Sequence, residues 1–329
     1  MNRLALIVLF SWCGLAHGQT MNDRSEAACR NNKAYLEKCW QQGVIARIPC
    51  GTMYLRDVVE TPITVGCGRI ETNGSGGYWI PADHPTLSGK TSRIHQLTPG
   101  KPAIRLRGAG FIINGPLYLE GQGDAAAIEV EGRSQGVATG HHRLRDLCCY
   151  NWRQVAVAKA GYYKDGQFMA DENHADNTEI SGIALNCDTL FRSENQQSLN
   201  WKIDFFWQGT TKGGKAVALD IARGGSVTAN ITVETCPCTI LRLGDYSDNQ
   251  CKFDINLWID SMVTPDPQFV LVELAKPDLW WAQWWIDMHG WVGKQAVPVR
   301  DCLTYNVPAN MNKSGWTIDL DYVGKTQGK

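Results

Sequence analysis

Gly182-Ile183-Ala184-Leu185-Asn186, Lys202-Ile203-Asp204-Phe205-Phe206, Asn230-Ile231-Thr232-Val233-Glu234, Asp254-Ile255-Asn256-Leu257-Trp258 and Trp285-Ile286-Asp287-Met288-His289 are variants of one pattern within the stretch from Ile180 to Trp291. Each places an isoleucine two residues before another apolar side chain, with residues of any polarity between. That is the period-2 signature of a strand with one buried face. A second apolar run follows most copies: Val217, Leu219 and Ile221; Ile240, Leu241 and Leu243; Val270, Leu271 and Val272. A recurrence of this length with strands and no helical pattern fits a stacked solenoid, since one turn of chain cannot bury its own apolar face. The expected class is all-β, a single-stranded parallel β-helix with rungs over residues 44–300 and a C-terminal segment at 301–329.

Charge removes one class of partner. Lys plus Arg number 32 and Asp plus Glu 33, a net charge of −1, so there is no basic field to attract nucleic acid. The 33 glycines suit a chain that turns sharply and often. Met1-Asn2-Arg3, an apolar run from Leu4 to Leu15, and Ala16-His17-Gly18 have the form of a signal peptide cut after Gly18. A secreted or periplasmic protein follows as the expectation, and no later segment is apolar enough to cross a bilayer. Export permits disulfides, for which Cys29 with Cys39 and Cys50 with Cys67 are close enough in sequence. Cys236-Pro237-Cys238 is too tightly spaced for a typical zinc site.

Taken in order, residues 25–42 place Ala28, Tyr35, Leu36, Cys39 and Trp40 at mostly helical spacing before Gly43. One amphipathic helix there would cap the open end of a solenoid. Ile48-Pro49-Cys50-Gly51-Thr52-Met53-Tyr54-Leu55 follows, then Val58-Val59, Ile63-Thr64-Val65 and Gly66-Cys67-Gly68. This helix, strand and glycine-rich turn resemble the opening of the pectate-lyase-like superfamily, especially its rhamnogalacturonase and epimerase-like branch. Ala103 to Gly110, Gly115 to Gly121 and Leu144 to Leu147 are similar to that group's early turns. The resemblance implies a right-handed β-helix. It leaves activity open, because the superfamily includes lyases, hydrolases, esterases, epimerases and non-enzymatic adhesins.

Aligning the five copies on their isoleucines sets out two outward columns: Ala184, Asp204, Thr232, Asn256, Asp287, and Asn186, Phe206, Glu234, Trp258, His289. In this alignment Asp204 and Glu234 lie diagonally on neighbouring rungs, with Cα atoms roughly 8 Å apart. Carboxyls at about that separation suit an inverting glycosidase. The expected catalytic set is therefore Glu234 and Asp204 as acid and base, with His289 and Asp287 beside them. Trp258 and Phe206 would stack on sugar rings, and Asn256 and Asn186 would bind substrate.

Family signatures narrow this. The resemblance would place Asn-Thr-Asp, Asp-Asp and Gly-His-Gly in a polygalacturonase, and Gly140-His141-His142 and Asn173-His174-Ala175-Asp176 match none of them. Trp258-Ile259-Asp260-Ser261 matches three residues of a pectate-lyase calcium signature and makes Asp260 a calcium candidate, while the arginine-base signature is absent. Asp171, Glu172, His174 and Asp176 form the densest set of oxygen and nitrogen ligands, suited to a hard cation such as calcium or equally to a solvated loop. Trp280, Trp281, Trp284, Trp285 and Trp291 alternate between faces, so some form either a carbohydrate platform or a covered cap. The expected function is a secreted hydrolase or lyase on an acidic or complex glycan. The alternatives are a non-catalytic glycan-binding or surface-structural β-helix and an adhesin using the tryptophans.

Overall fold

A computed structural model describes residues 20–74, 90–132, 136–170, 174–209, 216–234, 238–244, 251–260, 269–276, 284–292, 303–311 and 313–322. Residues 1–19, which include the expected signal segment and Cys13, lie outside these residues, as do Asp171, Glu172, Asn173, Cys236, Pro237, Trp280, Trp281, Cys302 and Lys325 to Lys329. So does most of the polar excursion between Glu71 and Pro99.

The architecture is an all-β parallel β-helix with one N-terminal helix. Among the described residues two long parallel sheets, of 13 and 9 strands, wrap a continuous core. Below Leu144 the larger sheet is split into two short columns of strands. From Arg143–Tyr150 onward each turn carries one long strand, as in Trp201–Gly209, Ser226–Glu234, Cys251–Asp260 and Trp284–Val292. Both sheets run on past residue 300, through Leu303–Asn306 and Trp316–Tyr322. The alternation of Trp316, Ile318 and Leu320 is set apart from the earlier copies by residues 307–315, which show no period-2 pattern.

The helix Glu26–Gln41 starts where Ser25 Oγ accepts from the Ala28 amide at 3.2 Å, a standard N-cap. Leu36 and Trp40 are buried in the core, and Trp40 meets Phe111 edge-on at 5.0 Å. The helix thus covers the first turn as its amphipathic spacing predicts. Cys29 and Cys39 are ten residues apart on this one helix, about 15 Å along its axis, so they cannot bond. Cys50 is exposed while Cys67 is fully buried. All four carry free thiols, and the two expected disulfides are absent.

The isoleucine alignment is correct in direction but shifted in register. Ile203, Ile231, Ile255 and Ile286 all point inward, at most 1% exposed. Yet Ile203 lies beside Ala229, which in turn lies beside Ile255, whereas Ile231 lies beside Phe205 and Leu257, and Ile286 beside Phe253. Every rung offers several equivalent inward slots, and a side-chain period of 2 does not say which slot holds the isoleucine.

The first copy is also inverted. Ile180 is the partner of Ile203, and Ile183 that of outward-facing Phe206, so Ala184 is inward and fully buried. Gly182 takes the inward slot beside Phe205, at φ 146. A Cβ there would lie 1.9 Å from the Leu147 carbonyl oxygen. Gly182→Ala is therefore expected to destabilise the protein by about 3 kcal/mol or more, because strained backbone and steric overlap add. Chemical denaturation of the variant checks this.

Candidate functional site

The true register gives the outward columns of the larger sheet. One runs Tyr118, Cys148, Ile183, Phe206, Thr232, Trp258, Trp291. It is a nearly unbroken apolar and aromatic column, a ladder in which Tyr118 and Ile183 are buried, Cys148, Phe206, Thr232 and Trp291 are half-buried and Trp258 is exposed. At its C-terminal end Trp258 is 51% exposed and lies 4.5 Å from Trp291, centroid to centroid. Large aromatic surface left in water is a cost that a ligand relieves.

Two polar columns flank the ladder. On one side run Asp204, Asn230, Asn256, His289 and Asp319. On the other, Glu234 and Asp260 are direct partners on adjacent rungs. Beyond the first polar column, Lys202, Thr228, Asp254, Asp287 and Thr317 continue outward. Aromatic surface is thus bordered by amide, imidazole and carboxylate groups on either side.

Several expected site residues are brought together here. Trp258, Asn256, His289, Asp287, Glu234 and Asp260 occupy three consecutive rungs. The Asp204 and Glu234 acid–base pair is not formed. Asp204 is the partner of Asn230, and Glu234 lies four residues further along that strand, which puts the two Cα atoms roughly 14 Å apart. Phe206 and Trp258 flank Thr232 rather than Glu234. Asn186 is not on the face at all. At φ 53 it turns the chain, and its Nδ2 donates to Asn151 Oδ1 at 3.0 Å in a corner ladder.

Of the four calcium candidates, Asp171 and Glu172 lie outside the described residues, and only Asp176 and Asp260 can be placed. Among the described residues, no three His, Cys, Asp or Glu side chains converge on a point that could hold a metal. Asp176 Oδ1 accepts from the Leu199 amide, and its other oxygen lies 3.6 Å from His174 Nδ1. Asp260 belongs to a strand several rungs away. The tryptophan pattern is partly met: Trp284 is buried and Trp285 is 39% exposed on opposite faces of one strand.

The second sheet differs in kind. Its outward column reads Glu60, Arg105, Glu129, Val157, Arg192, Asp220, Arg242, Glu273. Charges alternate rung by rung. Arg105 reaches Glu60 at 2.6 Å and Glu129 at 2.9 Å, Arg192 pairs with Asp220, and Arg242 lies 3.5 Å from Glu273. Burial holds the nearby Glu131 carboxyl up at about 6. This flank neutralises itself, so it leaves little for a ligand. On the larger sheet, the outward residues from Lys202 and Asp204 onward show no ion pairs among the described residues.

Two further features were not legible in sequence. His141, Asn177 and Asn200 all adopt left-handed backbone at one corner, and with Arg143, Glu179 and Lys202 they border a cavity of about 500 Å³. At the N-terminal end of the ladder, Tyr54, His95 and Glu120 share an outward column beside Arg93 and Tyr118. The fold defines the class, a parallel β-helix. No family model, no curated protein and no solved structure matches the chain.

Proposed function

We propose that this is an exported polysaccharide-engaging β-helix, right-handed and of the pectate-lyase-like kind, which binds a glycan along the outward face of its larger sheet. The observation that carries this reading is the ladder from Tyr118 to Trp291, exposed at Trp258 and bordered by hydrogen-bonding columns. Binding is favoured over hydrolysis at this face because the expected acid–base pair is separated by the register. The signal-like first residues and the early-turn resemblance support export and the superfamily.

Trp258→Ala is expected to weaken binding by about 2 kcal/mol, roughly 30-fold, as loss of a central aromatic anchor does. Its stability should change by less than about 1 kcal/mol, since the side chain is half exposed. Affinity electrophoresis in gels containing pectic, alginate or sulfated polysaccharide checks this. Equal retardation of the variant and the wild type in every retarding gel would reject the ladder as the binding surface.

A further inference from the structure

The cavity at the corner of the larger sheet carries positive charge that nothing beside it offsets. One wall is the corner column His141, Asn177 and Asn200, which turn three successive rungs at φ 55, 52 and 55. The other wall is the outward column Arg143, Glu179, Lys202 and Thr228. His142, Thr178 and Trp201, between the two columns, are fully buried and form the floor. All the wall residues except Glu179 are exposed, so a solute can reach them.

Both acidic groups at this corner are already engaged. Glu179 Oε2 lies 2.8 Å from Arg145 Nη2. Asp176, next to Asn177, accepts from the Leu199 amide at 3.2 Å and lies 3.6 Å from His174 Nδ1. Arg143 and Lys202, by contrast, form no ion pair among the described residues. They stand two rungs apart, roughly 10 Å between Cα atoms, near enough for both long side chains to meet one group above Glu179. Asn200 Nδ2 donates to Asn177 Oδ1 at 3.1 Å, which leaves the Asn177 amide nitrogen and the Thr228 hydroxyl as neutral donors on opposite walls. Two unmatched positive charges favour a dianion, and the guanidinium fork of Arg143 fits a tetrahedral oxyanion.

We propose that this cavity binds a phosphate monoester of a small polyol, with Arg143 and Lys202 on the phosphoryl oxygens and His141 and Asn177 beside them. A phosphate monoester carries nearly two negative charges at neutral pH, matching Arg143 and Lys202, whereas a sulfate monoester carries one. The cavity, at about 500 Å³, is in the range of small-molecule sites and has room for more than a bare phosphate. Its walls hold no exposed Trp, Tyr or Phe among the described residues, so the body of the ligand is polar and unstacked. Lys202 and Phe206 are four residues apart on one strand, roughly 13 Å. The site is therefore separate from the aromatic ladder, and the proposal does not depend on glycan binding.

Isothermal titration calorimetry of the full chain, at neutral pH and fixed ionic strength, tests this with glycerol 2-phosphate, inorganic phosphate and methyl sulfate. Glycerol 2-phosphate should bind at one site, at least about 10-fold more tightly than methyl sulfate and more tightly than inorganic phosphate. Arg143→Gln and Lys202→Gln should each weaken it at least about 10-fold, as loss of a charge-assisted hydrogen bond does. Their melting midpoints should be kept, because both side chains are exposed. Arg145→Gln, which frees the Glu179 carboxylate to face the ligand, should weaken binding too. Trp258→Ala should bind the ester as the wild type does, which keeps this result distinct from the fate of the ladder. No binding by the wild type, methyl sulfate bound as tightly as the ester, or unchanged affinity in both glutamine variants overturns the proposal. Inorganic phosphate bound as tightly as the ester overturns its polyol part.

Discussion

Trp201→Ala is expected to lower stability by about 3–5 kcal/mol, the range for removing a buried aromatic side chain. Trp201 is fully buried, stacks on Phe191 at 4.2 Å, and donates its indole N–H to the Ala175 carbonyl at 2.7 Å. Truncation leaves a large void, and it also orphans a buried acceptor, which costs a further 1–3 kcal/mol or so. The location makes the effect large, because Trp201 joins the two sheets through Phe191 and the corner through Ala175. Trp201→Phe, which keeps the ring and loses only the donor, should recover more than half of the loss. Urea denaturation of both variants reads the difference. A loss below about 1 kcal/mol for Trp201→Ala would mean that these rungs do not share one packed core.

Acid should weaken the protein through His142. This side chain is fully buried, its Nδ1 accepts from the Phe111 amide at 3.0 Å, and its Nε2 has no partner among the described residues. Burial, aided by His141, pushes it down to about 3. A base depressed on folding binds its proton more readily when unfolded, so its contribution is intact above its ordinary value of 6.5 and is lost as pH falls toward 3. At about 1.4 kcal/mol per unit, the loss is roughly 2 kcal/mol by pH 5 and grows below it. Glu131 acts in the opposite sense between 4.5 and about 6, where its protonated form favours the fold. The His142 effect is isolated by comparison with His142→Asn, whose amide oxygen can still accept from Phe111. Stability of the variant should fall less steeply from pH 6.5 to 4. Parallel curves for the two proteins would contradict the assignment.

The fold was readable because its signal is redundant. Ile203, Phe205 and Trp207 alternate with polar residues, the same parity returns in Val227 to Val233 and Phe253 to Ile259, and the helix Glu26–Gln41 has both its cap and its apolar stripe. Registration was not readable, because isoleucines serve any inward slot and Gly182 leaves one slot empty. That single uncertainty broke the Asp204 and Glu234 pair while leaving Trp258, Asn256 and His289 on the correct face. His95 escaped notice for another reason. Its rung partners, Tyr54 and Glu120, are separated from it by a long excursion and by a turn, and no short motif links the three. The corner residues His141, Asn177 and Asn200 share a backbone conformation that only the folded chain displays.

The most direct test of the ladder is affinity against oligosaccharide length. From Tyr118 to Trp291 the ladder crosses six rung spacings, roughly 29 Å. For a glycan that the full chain binds, affinity should rise with each added sugar until the oligosaccharide spans that distance, and then level off, with Trp258→Ala removing most of the gain. Affinity independent of length, or a length dependence that Trp258→Ala leaves intact, would contradict it.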